Sequence, residues 1–472
     1  MEKSLSSHNS IQYNQTYIWL ISLTAALGGF LFGFDWVVIG GAKPFYEPYF
    51  GITSAADQGW GTSSALIGCM VGAILCIVLS DKMGRKRLLI FSGFLFSLSA
   101  LGTALAESFW IFNLYRIVGG VAMGIALNLS PLYIAEISPP EKRGMFVTIN
   151  QLLVMIGVLL AQITNWQISL LDTELADTAS FEMIAKSWSG QYGWRWMFGA
   201  EIVPALLFFI LMFLVPESSR WLVKNKEEEK ARVVLERIGG KHYADKSISE
   251  IHSTLASGDL GKVNFRDLLR RPVPKLIGIG IFLAFLQQWS GLNVVIYYAA
   301  DIFQAAGYNL KQMMLNIVVI GGVMVLSVFI TLFTVDRFGR KKLLLVGTGA
   351  MTILYALIGY SFLVDQGGWV IVLLVLTNVM FYSFTLAPLL WVVLSEIFPT
   401  RIRGAAISIS ALAHWIGNFT LTYSFPAIKA NLGWANNFWL YGLICFVGFL
   451  IIYFVLPETK GKSLEQLERE LS

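Results

Sequence analysis

Twelve stretches of this chain run almost free of Asp, Glu, Lys and Arg, most at about the 20 residues an apolar helix needs to cross a hydrocarbon layer. They lie at 16–34, 58–80, 88–106, 117–135, 144–171, 202–216, 276–300, 312–335, 343–364, 366–395, 404–428 and 430–457. The sixth is short; starting it near Trp196 restores the length and brings Glu201 inside. The polar segments between spans repeat. Asp81-Lys82-Met83-Gly84-Arg85-Lys86-Arg87 follows the second span, and Asp336-Arg337-Phe338-Gly339-Arg340-Lys341-Lys342 follows the eighth. Glu136-Ile137-Ser138-Pro139-Pro140-Glu141-Lys142-Arg143-Gly144 is echoed by Glu396-Ile397-Phe398-Pro399-Thr400-Arg401-Ile402-Arg403-Gly404, and Pro216-Glu217-Ser218-Ser219-Arg220 by Pro457-Glu458-Thr459-Lys460-Gly461. Motif pairs in one order mark a duplicated unit. The expected fold is an all-α membrane protein with twelve transmembrane helices in two six-helix bundles, 1–216 and 273–472. Residues 217–272 form a charged cytoplasmic insert. There, Ala231, Val234, Leu235 and Ile238 share one side of a predicted helix over Glu227–Ile238, which Gly239-Gly240 ends. The insert is either a clamp beneath both bundles or a solvated linker with short helices.

Composition agrees. With 56% hydrophobic and 14% charged residues and a mean hydropathy of +0.64, the chain is far from a soluble domain, whose charged fraction is about 25%. The net charge of +5 raises the possibility of nucleic acid, but its placement argues against it. With both termini in the cytoplasm, the outer side receives Lys43, Lys186, Arg195, Lys311 and Lys429, and Arg116 lies within a span. All other Lys and Arg fall inside, which orients the chain. Cys69, Cys76 and Cys445 all sit in apolar spans and read as inert buried thiols, with no disulfide or metal pattern. The first apolar run lacks a cleavage site and is expected to be retained. A duplicated bundle of this kind points to movement of a solute across a bilayer. No nucleophile–base or metal-ligand cluster suggests an enzyme, and no metal or cofactor is expected.

The chemistry stands out against the apolar background. Asp35, in Gly33-Phe34-Asp35-Trp36, is an acid in an apolar helix, which is costly unless paired or neutralised. Its natural partner is Arg116 in the fourth span. A carboxylate caught between desolvation and a neighbouring guanidinium can change protonation state as its pocket opens and closes, which proton coupling requires. Glu201 either joins that cluster or makes a structural hydrogen bond. The seventh span carries Gln287-Gln288-Trp289-Ser290-Gly291-Leu292-Asn293 and Tyr297-Tyr298. Amides offer donor and acceptor together, suited to neighbouring sugar hydroxyls, and buried amides should face the bundle interior. Gly291 allows a bend, although close helix packing is the plainer use of a membrane glycine. Gln151 adds an amide on the fifth span, and Trp391, three residues after Pro388, offers a flat face to a pyranose. At the inner surface, Arg85, Glu136 and Arg143, with Arg340, Glu396 and Arg403, can form ion-pair networks. These networks are expected to lock an outward-open state and to break when the inner gate opens.

On these motifs the chain resembles the sugar porter family of the major facilitator superfamily over nearly its whole length. The resemblance rests on both Gly-Arg-Lys knots, Pro-Glu-Ser-Ser-Arg, Pro-Glu-Thr-Lys-Gly and Gln-Gln-x-x-Gly-x-Asn. It is most similar to the proton-coupled bacterial members that carry xylose. The resemblance implies alternating access around a central sugar site in a bacterial inner membrane, with sugar, proton and lipid as partners and a monomeric chain. It assigns Asp35 as the acid that proton-coupled members carry, Arg116 as its partner, and Gln151, Gln287, Gln288, Asn293, Tyr298 and Trp391 as sugar contacts. Phe32 and Trp415 match pocket aromatics. His414 stands where the xylose-carrying pattern has Gln, Val158 replaces a second Gln and Ala387 a Gly, so the pocket is altered. His414 could bind sugar or make uptake depend on pH. A passive uniporter and a transporter-like sugar receptor are the rival readings.

Overall fold

The computed structural model describes residues 12–176, 179–256, 273–399 and 402–460. Thr400, Arg401 and Gly461 of the repeated motifs lie outside the described residues. Apolar helices occupy all twelve expected stretches, but they continue past the charges that bounded the sequence reading. The first charge-free stretch ends at residue 34, and Asp35 is expected to lie in the same helix. That helix runs from Gln15 to Phe50, 36 residues and about 54 Å long. The Asn14 side chain caps its start, and Gly51, at a φ of 64°, ends it. The helix carries Asp35, Lys43 and Glu47 through its length because each charge finds company. Lys43 and Glu47, one turn apart, pair at 3.2 Å. Lys43, counted above with the outer loops, is therefore a buried helical residue.

Two spans, the seventh and the tenth, are broken where function later gathers. The seventh runs Val273–Trp289 and resumes as Leu292–Tyr297. Gly291 between them has a φ of 90°, a conformation that suits glycine alone. The tenth runs Trp369–Phe384 and Leu386–Ile397, parted at Thr385 (φ −117°, ψ −84°). The last two spans form one continuous stretch, Arg403–Val455, that turns at Gly433 (φ 74°, ψ 174°).

The duplicated motifs fold into duplicated corners. Gly84 and Gly339 take nearly the same conformation, φ 92° and ψ 162° against φ 87° and ψ 161°, and each begins the helix that follows. A carboxylate from the far end of the same bundle covers that helix start. Glu217 accepts the Arg85 N–H at 3.0 Å and the Lys86 N–H at 3.1 Å. Glu458 accepts the Arg340 N–H at 2.9 Å. These N–H groups have no partner within their own helix, so a carboxylate there satisfies them and meets the positive end of the helix dipole. Burial works against the charge of both acids. At Glu217 burial wins and the carboxyl lies above its ordinary range. At the less buried Glu458 the N–H groups of Lys460 and Arg340 win, and it lies below.

The insert helix was expected over Glu227–Ile238. It forms within Glu228–Ala256 and is broken at Gly239 and Gly240. Ala231, Val234, Leu235 and Ile238 are all buried. The described part packs beneath the first six spans. The Trp221 indole donates to the Asp81 carbonyl at 2.9 Å, Lys224 pairs with Asp81 at 2.8 Å, and Asn14 N–H reaches the Ile238 carbonyl at 2.8 Å. Its reach toward the second bundle would fall on 257–272, outside the described residues.

Candidate functional site

Asp35 sits mid-helix and is 1% exposed, which excludes an acid that simply reaches water at a helix end. Arg116, on the fourth span Phe109–Ile137, donates one Nη to the Asp35 carboxylate and the other to the Asp35 main-chain oxygen at 3.4 Å. The guanidinium also lies 5.3 Å from the Phe198 ring centre. Gly119, one turn beyond Arg116, permits this approach, since a Cβ there would stand 2.9 Å from Asp35 Oδ2. Glu201 is buried where the sixth span turns between its two helical pieces, within electrostatic reach of both partners. Asp35 Oδ2, Arg116 Nε and Glu201 Oε1 are buried without a hydrogen-bond partner among the described residues. Of the two readings for Glu201, the geometry therefore favours the cluster. Two carboxylates and one guanidinium share a buried site, an arrangement that a single proton makes neutral and whose unpaired polar atoms are otherwise costly.

The second group forms around the breaks. Gln287 donates its amide to the Leu386 and Ala387 carbonyls, both at 3.0 Å, fixing the seventh span against the interrupted tenth. Gln288 Nε2 lies 3.3 Å from Gln287 Oε1 and 3.0 and 3.2 Å from the two His414 ring nitrogens. Asn293 donates to Gln288 Oε1. The turn at Gly291 is what lets Asn293 meet Gln288 across it. Trp391 and Trp415 flank His414, with ring centres 5.5 and 5.4 Å away. Trp415 is buried, whereas Trp391 is 39% exposed. The result is a continuous polar strip, Gln287–Gln288–His414 with Asn293, edged by two indoles.

Other predicted contacts stand apart. Tyr298 donates its hydroxyl to the Thr422 carbonyl at 2.8 Å and packs on Phe425, toward the outer ends of the spans. Phe32 stacks on Trp36, ring centres 6.1 Å apart, one turn before Asp35. Gln151 is exposed on the fifth span beside Asn150, whose amide faces Gly29. Sequence reasoning passed over Gln162, Asn378 and Asn418, buried amides on the fifth, tenth and eleventh spans. Their signal was the one used for Gln287, an amide in an apolar span. None of them stands directly beside a second amide as Gln287 does beside Gln288.

The inner-surface residues require a correction. Arg85 grips Glu136 through Nε at 3.0 Å and Nη2 at 3.1 Å, and Ser218 donates to the same carboxylate at 2.5 Å. Arg340 grips Glu396 at 3.0 Å, with Thr459 donating at 2.5 Å. The Arg85–Glu136–Ser218 contacts and the Arg340–Glu396–Thr459 contacts each join residues of one set of six spans. Both stand while the outer ends of the two sets are joined, where Lys43 pairs with Asp301, Gly40 lies against the Ile296 carbonyl and Gly59 against the Tyr423 carbonyl. They are thus not reserved to an outward-open state, because rocking one bundle against the other does not separate partners in the same bundle. Arg143 donates to the Ala135 carbonyl at 2.8 Å and Arg403 to the Phe398 carbonyl at 3.2 Å.

Comparison with known proteins accords with this geometry. The family model described as "Sugar (and other) transporter" matches residues 21–471. The chain is 36% identical to the D-xylose-proton symporter of Escherichia coli, covering 97% of this chain and 96% of that one. It is also 36% identical to the glucose transport protein of a Synechocystis species, covering 98% and 99%. Among solved structures, the inward-open conformation of the Escherichia coli xylose transporter superposes with a TM-score of 0.83 at 32% identity, covering 96% of this chain and all of that one.

Proposed function

The chain belongs to the sugar transporter family, and we propose that it is a proton-coupled monosaccharide symporter working by alternating access, with xylose the first candidate among pentoses and hexoses. The observation that carries this reading is the buried cluster of Asp35, Arg116 and Glu201, one acid in excess, on helices that also frame the sugar path. A passive uniporter needs no such cluster, since it has no proton to hold.

In the proposed cycle, sugar enters from outside and bonds to the amides of Gln287, Gln288 and Asn293 and to His414, with Trp391 against its apolar face. Phe32, Trp415, Gln151 and Tyr298 complete the pocket as the bundles close on it. A proton at Asp35 neutralises the cluster, so the loaded carrier can rearrange without a bare charge in an apolar seam. On the cytoplasmic side the proton and the sugar leave, and Arg116 again holds the Asp35 carboxylate. The moving bodies are 1–216 and 273–472, with the described part of the insert, 217–256, anchored beneath the first. The chain acts as a monomer in a bacterial inner membrane, both termini cytoplasmic, with the proton as coupling ion and no cofactor or nucleic acid.

The test is uptake of labelled xylose, arabinose, glucose, galactose and fructose in transporter-deficient cells, with and without a protonophore. Accumulation of at least one sugar that the protonophore abolishes is the expected result. Accumulation that survives the protonophore would sink the coupling, and indifference to all five would sink the substrate class.

A further inference from the structure

Four charged side chains meet at the outer end of the seam between the two bundles. Lys43 and Glu47 belong to the first span; Asp301 follows the seventh, and Lys429 lies on the eleventh. Lys43 Nζ stands 2.8 and 3.1 Å from the two Asp301 carboxylate oxygens and 3.2 Å from Glu47 Oε2. Lys429 Nζ stands 3.6 Å from Asp301 Oδ1. Lys43 is only 3% exposed and its ammonium lies 5.3 Å from the Tyr298 ring centre. A lysine so buried is held by its two carboxylates, since an unpaired charge there is costly.

We propose that Lys43 and Asp301 form an outer latch that sets the balance between the outward-closed and outward-open carrier, and that Glu47 and Lys429 are the partners each falls back on when the latch parts. This rests on the alternating-access reading above. Each bundle brings one cation and one anion, so opening leaves a neutral pair on each side: Lys43 with Glu47, and Asp301 with Lys429. Neither charge is stranded, and the barrier to opening is one bridging interaction rather than the exposure of lone charges. Closing adds the Lys43–Asp301 attraction and also brings Glu47 toward Asp301 and Lys43 toward Lys429. The two like-charge approaches temper the latch, so that it biases the carrier without freezing it.

The charge arrangement predicts opposite signs for substitutions in one small cluster. Removing a latch partner favours opening. Removing a fallback partner strands a charge in the open state and relieves a like-charge contact in the closed one, so it favours closure. The reporter is a cysteine at Thr62, a buried position on the second span one turn from Gly59, which lies against the Tyr423 carbonyl across the seam. It is labelled by a membrane-impermeant maleimide in right-side-out vesicles without sugar. In the full chain carrying T62C, Lys43→Met and the near-isosteric Asp301→Asn should each speed labelling about tenfold, the lower range for a close interfacial charge pair. The double variant should be no faster than either single one. Glu47→Gln and Lys429→Met should slow labelling about two- to fivefold. Unchanged labelling in both latch variants at matched expression would overturn the proposal. So would an additive double variant, or acceleration by Glu47→Gln and Lys429→Met, which would mean only a loosened outer end. If Lys43→Met does not reach the membrane, Asp301→Asn and the two fallback variants still decide the sign. Because no sugar or proton gradient enters the assay, the labelling rates test the latch whether or not the carrier couples sugar to protons.

Discussion

Replacing Asp35 with Asn removes one negative charge from the buried cluster while keeping the shape of the side chain and an acceptor for Arg116. The charge balance then changes from two carboxylates and one guanidinium to one of each, Glu201 and Arg116. The cluster is neutral without a proton, and the side chain at 35 has no site to accept one. Sugar contacts are spared, because Asp35 makes no hydrogen bond to Gln287, Gln288, Asn293 or His414 among the described residues. The variant should therefore bind and exchange sugar but lose its link to the driving force.

The size of that loss follows from the electrical work. One elementary charge crossing 100 mV supplies about 2.3 kcal/mol, and each factor of ten in concentration costs about 1.4 kcal/mol. One proton per sugar thus supports about 50-fold accumulation at that potential. In proteoliposomes with an imposed potassium diffusion potential, negative inside, the unaltered protein should approach that ratio. The Asp35→Asn variant should stay at one, with counterflow retained within about threefold. Accumulation well above one in Asp35→Asn would refute the assignment and move the coupling role to another acid. Loss of counterflow together with accumulation would instead make Asp35 part of the sugar site.

Further outcomes follow from other parts of the structure. His414→Phe fills the same space between Trp391 and Trp415 but leaves Gln288 without its ring-nitrogen partner, so half-saturation for sugar should rise about tenfold, while His414→Gln should stay within about threefold. Gly84→Ala forces a side chain into a positive φ against the Glu217 carboxylate and should cost about 1–2 kcal/mol, read as an earlier thermal transition in detergent. Gly144→Ala, which meets nothing within 4 Å, should be neutral. Glu458→Gln weakens the carboxylate cover on the Arg340 helix, worth about 1 kcal/mol. Because Glu458 titrates below its ordinary range when folded, its contribution is present above the ordinary carboxyl range of about 4. It is lost as pH falls through the folded value. The gap in thermal stability between this variant and the unaltered protein should accordingly be widest near neutral pH and close in strong acid.

Apolar run lengths foretold where the spans lie, because lipid admits little else, but not where helices end. Lys43 looked like a loop residue to a reading that counts charges, yet the helix continues through it, since each charge there has a partner: Glu47 one turn from Lys43, and Asp301 from the other bundle. Whether a charge terminates a span depends on that partner, and Asp301 is far away in sequence. Asp35 with Arg116 and the Gln287–Asn293 group were legible because buried polar groups are rare in apolar helices and these came with neighbours or a named counter-charge. The tie from Gln287 to the Leu386 and Ala387 carbonyls was not, because it depends on a backbone break at Thr385 that only Pro388 hinted at. The Glu217 and Glu458 carboxylates over the Arg85 and Arg340 helix starts were visible as repeated motifs, though not as pairs. A repeat identifies the unit and leaves its internal contacts to the folded chain.

The corners and the seam divide the work of alternating access. At each corner an Arg, two glutamates and a Ser or Thr hydroxyl join three helix ends of one bundle, in nearly the same arrangement in both copies. Charge-assisted hydrogen bonds of this kind resist distortion, so each bundle is expected to turn as a body. What differs between conformations must then lie between bundles, where contacts are weaker or can be exchanged. At the outer seam those contacts are close glycine packing, as at Gly40 and Gly59, and a salt bridge whose partners each have a substitute nearby. Glycine surfaces part without breaking hydrogen bonds, and the charges can re-pair within their own bundle. Rigid polar corners with an exchangeable seam allow the carrier to open one side without loosening the fold that holds Asp35 and Arg116 together.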